Sequence, residues 1–311
     1  MRSSHRWLSV TLLSSVACAT GTAPLGASAD AGDPGSVDGA PGVDAAPGSD
    51  ARRQGDAGLA ADAAPAPDAT PPDAAPPGVA HLLLTEVALA PSGGEFIELL
   101  NPTGDPVALA DYYVSDSGGY AQVPSGGARV TASDFIARFP AAAVLSPGAV
   151  ITVALDSKTA FVAAHGVAPT YSLRDGDLDL IAGSTDATLT NDGEVVVAFY
   201  WDGRTDLVTD VDAVHVGRPT ASNQVLSKSD VAVDGPDADA IPSTYADDDR
   251  SMPLQPTAPA SGQSTRRIST EPGHERQDGT GNGVDGDDET SEAIDATWSA
   301  PGTPTPGEHD L

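Results

Sequence analysis

The chain has 311 residues, with 45 Asp and Glu against 15 Lys and Arg and a formal net charge of −30. Nucleic-acid backbones are bound by clustered cations that displace counterions, so this balance excludes nucleic acid as the primary ligand. Cys18 is the only cysteine, which removes disulfide and cysteine-nucleophile chemistry from the folded part.

Arg2 and Arg6 give a basic start, Trp7 to Ala17 is apolar with small hydroxyl residues interspersed, and Ala17-Cys18-Ala19 ends the run with small residues. This is the pattern of an export signal, too short to span a bilayer as a helix. Ser15-Val16-Ala17-Cys18 resembles the lipobox of bacterial lipoproteins, which makes residues 1–18 a lipoprotein-type signal peptide and Cys18 the candidate lipid-attachment residue. Position minus three usually holds a larger aliphatic residue, and here it is Ser15. Cleavage after Ala19 is the alternative, because Ala17-Cys18-Ala19 also satisfies the A-x-A rule and would yield a secreted protein. The expected address is therefore a bacterial envelope, periplasm or cell surface, with secretion as the second reading.

Residues 19–79 hold almost nothing that could form a core. Asp38, Asp44, Asp50, Asp56, Asp62 and Asp68 recur at six-residue spacing within Asp/Ala/Pro-rich units, and no aromatic residue occurs between Trp7 and Phe96. A hexapeptide β-helix needs a regular aliphatic position in each turn, which Val37, Val43, Leu59 and Val79 do not supply. The expectation is a disordered linker whose apolar content does not offset the entropy of ordering it. As a Gly-rich coil its ends would lie about 45 Å apart, and as polyproline II roughly 190 Å apart.

From residue 80 to 311 the pattern is all-β. Strands are predicted over Leu82–Leu89, Glu95–Leu100, Val107–Val114, Ala149–Leu155, Asp177–Ala182, Glu194–Trp201 and Thr205–Val216, short runs rich in Val, Leu and Tyr and divided by Gly, Pro, Asn and Asp. Asn191-Asp192-Gly193 and Asp202-Gly203 are hairpin signals, since Asp-Gly tolerates positive φ. Val195 to Trp201 is continuously apolar, as expected of a strand buried on both faces. Two short helices are predicted, Ser133–Phe139 ending before Pro140 and Ser157–His165 ending at Gly166.

Glu95-Phe96-Ile97-Glu98-Leu99-Leu100-Asn101-Pro102, preceded by Leu83-Leu84-Thr85-Glu86-Val87 and followed by Val107 to Val114, Leu145-Ser146-Pro147-Gly148 and Leu189-Thr190-Asn191-Asp192-Gly193-Glu194, forms an ordered series. It resembles the lamin-tail domain, found in nuclear lamins and in many bacterial exported proteins. The resemblance implies an immunoglobulin-like β-sandwich, with Ile97 and Leu99 facing the interior beside Val195 and Val197. The pattern runs from Leu83 through Val216 and resumes near Arg267, closing at Thr305-Pro306-Gly307. Ser115–Ala128 and an acidic stretch at about 217–264 interrupt it as insertions. Animal lamin tails are linked to DNA and chromatin, but the net charge argues against carrying that partner over.

One acidic stretch has a metal-binding register. Asp278, Thr280, Asn282 and Glu289 stand at positions one, three, five and twelve of an EF-hand-like loop, with Gly283 at six for the turn, and are the candidate calcium ligands. Position eight is Asp285 rather than an aliphatic residue, and neither flank is an amphipathic helix, so a solvated acidic loop is the competing reading. Ser115-Asp116-Ser117-Gly118-Gly119 and Ala163-Ala164-His165 echo the serine and histidine segments of trypsin-like proteases, but in reversed chain order. The six histidines show no zinc spacing. No catalytic residue is assigned. The expected function is a non-enzymatic, lipid-anchored binding or structural module whose partner is an unidentified protein or envelope polysaccharide. An accessory to, or divergent form of, an extracellular hydrolase is the alternative.

Overall fold

The computed structural model describes residues 78–217, 227–248, 258–270 and 275–311, so Cys18, the leader and nearly all of the linker lie outside the described residues. In chain order the strands are β1 (Leu83–Ala88), β2 (Phe96–Leu100), β3 (Val107–Ala108), β4 (Tyr112–Ser115), β5 (Phe135–Arg138), β6 (Val144–Leu145) and β7 (Val150–Ala154). There follow β8 (Tyr171–Ser172), β9 (Asp179–Gly183), β10 (Gly193–Tyr200), β11 (Thr209–Gly217), β12 (Ala232–Val233), β13 (Ser243–Thr244) and β14 (Thr265–Arg266). Two five-stranded sheets, ordered β14-β1-β2-β7-β8 and β11-β10-β4-β5-β9, carry the fold. Within them only β7 and β8 pair in parallel.

The main core lies between these sheets. Val87, Ile97, Leu99 and Val153 from the first meet Val114, Phe135, Val196, Ala198 and Val214 from the second, all buried. The expectation of an all-β, immunoglobulin-like sandwich is met. Both outer faces are also covered. On the first sheet, helix α1 (Lys158–His165) lays Phe161 edge-on against Phe96, with ring centroids 5.6 Å apart. Gly166 closes the helix at φ 77° as expected, and Ser157, one residue before the first helical position, accepts a hydrogen bond from the Ala160 amide as its N-cap. On the second sheet, Val195, Val197 and Phe199 pack against Tyr120, Val208, Val233 and Tyr245. This second cluster explains why the β10 run is apolar at consecutive positions: each face of the strand has its own core. The acidic insertion supplies part of that cover through Val233 and Tyr245.

Several expectations are corrected. Residues 133–139 are not a helix: β5 pairs with β4 on one side and β9 on the other. Its side chains alternate, with Phe135 and Ala137 in the main core and Ile136 in the outer cluster. Ser133 and Asp134 imitate a helix cap but close a turn, in which Asp134 accepts from the Thr131 hydroxyl at 2.7 Å. Residues 107–114 are two strands, because β3 pairs with β6 while β4 joins β5 and β10 across a turn at Leu109. Asn191-Asp192-Gly193 is no hairpin, since it leads into β10, whose partners are β11 and β4. Asp202-Gly203 does lie between the paired strands β10 and β11, in a wider loop where Asp202 accepts from the amides of Arg204 and Thr205 at 2.8 and 2.9 Å. Ile97 and Leu99 are buried in the intersheet core as expected, but beside Val196 and Ala198; Val195 and Val197 point to the other face.

His215 on β11 is 5 % exposed, and neither ring nitrogen has a hydrogen-bond partner. Burial alone lowers its pKa to about 4. The folded pKa lies below the unfolded value of about 6.5, so the neutral ring stabilises the fold above that pH and the contribution is lost as pH falls toward 4. His215→Leu should remove a destabilisation on the order of 2–3 kcal/mol between pH 6.5 and 4. Urea midpoints at a series of pH values check this, and parallel pH profiles for both proteins would refute it.

Candidate functional site

The family-like motifs turn out to be structural. Asn101, fully buried at the end of β2, donates to the carbonyls of Asp105 and Leu145 at 2.8 and 2.9 Å and accepts from the Thr103 amide and hydroxyl. All of its amide capacity is spent tying the β2–β3 turn to β6. Glu194 likewise accepts from the amides of Thr190 and Val195 where β10 begins. Glu95 is buried, and that burial raises its pKa to about 7 against the opposing hydrogen bond from the Leu189 backbone.

Charge is concentrated instead on β11 and the segments around it. The register against β10 shifts here, with Phe199 opposite Asp210 and Ala198 opposite Asp212, so Val211 is an extra residue. The bulge sends the two aspartates into different networks. Asp210 meets Lys228, whose side chain is 2 % exposed: Lys228 Nζ lies 2.6 Å from Asp210, 3.2 Å from Asp248 and 2.9 Å from the Tyr120 hydroxyl. Burial opposes the lysine charge, yet Asp210 and Asp248 hold its pKa above the usual range. Asp212 meets Arg267, which also donates to Glu292 and, at 2.8 Å, to the Leu84 carbonyl, and stacks on Trp298.

Beyond Asp212 lies a third group. His81 Nε2 is 3.5 Å from Glu289 Oε2, and Glu275 completes a cluster whose donor atoms all fall within 4.8 Å of one another. Burial pushes the Glu289 carboxyl up to about 8 despite the imidazole beside it. Burial also opposes charge on His81, but Glu289, with Asp212 and Glu275 behind it, raises the imidazole pKa to about 9. Asp206, Asp234 and Asp237 form a second close group. Its buried member is already satisfied, as Asp206 accepts from the amides of Gly235 and Ser243 at 2.7 and 3.0 Å.

The four calcium candidates are dispersed among other contacts. Asp278 is exposed, and Thr280 donates to the Gln277 carbonyl. Asn282 is bound to Ala246 and Asp248, and Glu289 turns to His81. Among the described residues no hydrogen bond joins any two of the four. The loop folds on itself instead: Asp287 accepts from the Gly279 amide, and Gly281 donates to the Gly286 carbonyl. Ser117 and His165 are likewise separate, Ser117 capping a 3-10 turn at Gly118–Gln122 and His165 Nε2 lying 2.8 Å from the Gly94 carbonyl.

With two sheets, one intersheet core and these motifs in place, the comparison with known families is decisive. Residues 75–203 match the family model described as Lamin Tail Domain. Residues 75–203 form a lamin tail domain. No curated protein matches it. The lamin tail match ends in the β10–β11 loop, whereas the sandwich continues through β11, β14 and the 284–298 segment, whose Val284, Ile294 and Trp298 enter the main core. The chain then closes on buried carboxylates: Glu86 accepts from the Thr305 amide at 2.9 Å, and Glu98 from the Gly307 amide at 2.6 Å. His81, Glu275, Lys228 and Arg267 were not singled out by sequence reasoning. The available signal was Asp210-Val211-Asp212 in a strand otherwise rich in Val and Ala, because buried carboxylates there require cationic partners.

Proposed function

We propose that this protein is an exported, lipid-anchored envelope protein that presents its lamin tail sandwich as a non-enzymatic binding or structural module. The anchor reading is carried by Cys18, the sole cysteine, at the end of Ser15-Val16-Ala17-Cys18 behind a basic and apolar leader. The module reading is supported by membership of an immunoglobulin-like family without catalytic character, and by polar groups that mostly pair with one another inside the fold. Its partner on this reading is an envelope polysaccharide or another envelope protein, held at the end of the Asp/Ala/Pro-rich 19–79 tether.

Metabolic labelling with a fatty-acid analogue tests the anchor. The wild type should incorporate label and sediment with membranes, and Cys18→Ser should lose both properties. A mature N-terminus at Thr20 by mass spectrometry would overturn the anchor and leave the secreted form.

A further inference from the structure

We propose that His81, Glu275 and Glu289 form a binding site for one divalent transition-metal cation, with Zn2+ the best fit. The donor atoms of the three side chains already lie within 4.8 Å of one another. They converge from distant parts of the chain: His81 lies two residues before β1, and Glu275 and Glu289 flank the loop between them. Ligands about 2.1 Å from a tetrahedral ion lie about 3.4 Å apart, so a modest inward rotation closes the set. His81 and Glu275 are only half-buried and have room to make it.

An independent observation indicates a missing partner. Glu289 is 2 % exposed, and its Oε1 has no hydrogen-bond donor; His81 Nε2 also lacks a hydrogen-bond partner at its 3.5 Å separation from Glu289 Oε2. Leaving a buried carboxylate oxygen without a donor is costly. A cation between the imidazole and the two carboxylates gives Nε2 the partner it lacks and neutralises the buried carboxylate whose Oε2 faces it. The donor set chooses the ion. One imidazole nitrogen with carboxylate oxygens suits Zn2+ and its neighbours in the first transition row, whereas Ca2+ takes six to eight oxygens and Mg2+ an octahedron of oxygens. Three protein ligands leave a fourth position for water on the side where His81 and Glu275 reach solvent. Such an ion would pin the entry to β1 against the 275–289 segment. It also gives Glu289 a role different from closing an EF-hand-like loop.

The full chain, stripped with chelator, is titrated with Zn2+ by calorimetry and with Co2+ by visible absorption. The expected result is one saturable equivalent of Zn2+, a Tm that rises with its concentration, and Co2+ bands of a four-coordinate nitrogen–oxygen site that Zn2+ displaces. Both His81→Asn and Glu275→Gln should weaken Zn2+ at least tenfold; Glu275→Gln, at a half-buried residue, should also keep the metal-free urea midpoint, whereas His81→Asn takes the imidazole from buried Glu289 and lowers it. Hundredfold excess Ca2+ or Mg2+ should not compete. The proposal is overturned if no saturable equivalent binds, if either variant binds as tightly as the wild type, if Ca2+ displaces Zn2+, or if Co2+ gives only the spectrum of a six-oxygen environment. The spectroscopic arm needs no variant, so it decides even if a substitution disturbs folding.

Discussion

Lys228→Met should destabilise the protein by about 3–5 kcal/mol at neutral pH, because it removes the cation from two buried carboxylates and leaves both behind. Lys228 Nζ sits 2.6 Å from Asp210 and 3.2 Å from Asp248. The Tyr120 hydroxyl donates to Asp210 at 2.9 Å but carries no charge to replace it. Methionine restores the packing volume, so the loss reports charge rather than a cavity. The pH dependence follows from the same logic. Without the lysine the folded-state pKa of Asp248, already raised by burial and held down chiefly by Lys228, rises further, so the variant loses stability as pH rises through it. Adding Asp210→Asn and Asp248→Asn to Lys228→Met should recover much of the loss, since a neutral group costs far less to bury than an unpaired charge. Urea denaturation from pH 4 to 8 measures all of this. A loss below about 1 kcal/mol at pH 7 would mean that water reaches the site and that the ion pair behaves as a surface pair.

The same network shows what the sequence could and could not disclose. Val195 to Trp201 was legible as a doubly buried strand because every position is apolar, and a single-faced strand would alternate. Helix α1 was legible because Ser157 and Gly166 are local caps whose chemistry needs no distant partner. By contrast, Ser133-Asp134 followed by Phe135 and Ile136 supports either a capped helix or a turn before a strand. The choice was made by β4 and β9, which lie on either side of β5 and offer it two ladders of backbone hydrogen bonds. The EF-hand-like register was a statement about spacing alone. In the fold, Asn282 is taken by Ala246 and Asp248, and Glu289 by His81, partners that no local pattern encodes. The acidic insertion looked separate from the sandwich by composition. Its Val233 and Tyr245 nevertheless help to cover the outer face of the β10 sheet, and its Lys228 pairs with Asp210 there, so a polar, Pro-punctuated stretch contributes to the core through a few isolated residues.

Arg267 should be as sensitive as Lys228, and it separates charge from geometry. Its guanidinium spans three elements: Nε donates to the Leu84 carbonyl of β1 at 2.8 Å, one terminal nitrogen lies 2.7 Å from Asp212 of β11, and the other donates to Glu292. Its Cζ lies 5.2 Å from the Trp298 ring centroid, a cation–π contact inside the core. Arg267→Ala leaves Asp212 and Glu292 as buried unpaired acids and should cost about 3–5 kcal/mol. Arg267→Lys keeps the charge but is not conservative here, because an ammonium on a flexible stem cannot reproduce a planar fork that meets a carbonyl and two carboxylates at once. It should lose roughly 1–3 kcal/mol, the cost of a buried acceptor left without its donor. Hydrogen exchange distinguishes this from a general loss of packing. The Arg267 amide donates to the Thr85 carbonyl, and Ser264 pairs with Gly302 beside it, so protection should fall first along β14 and the 297–302 segment while β10 stays protected. Equal destabilisation by alanine and lysine would show that a positive charge without the planar fork recovers nothing, and no measurable loss in either would show that Asp212 and Glu292 do not depend on Arg267.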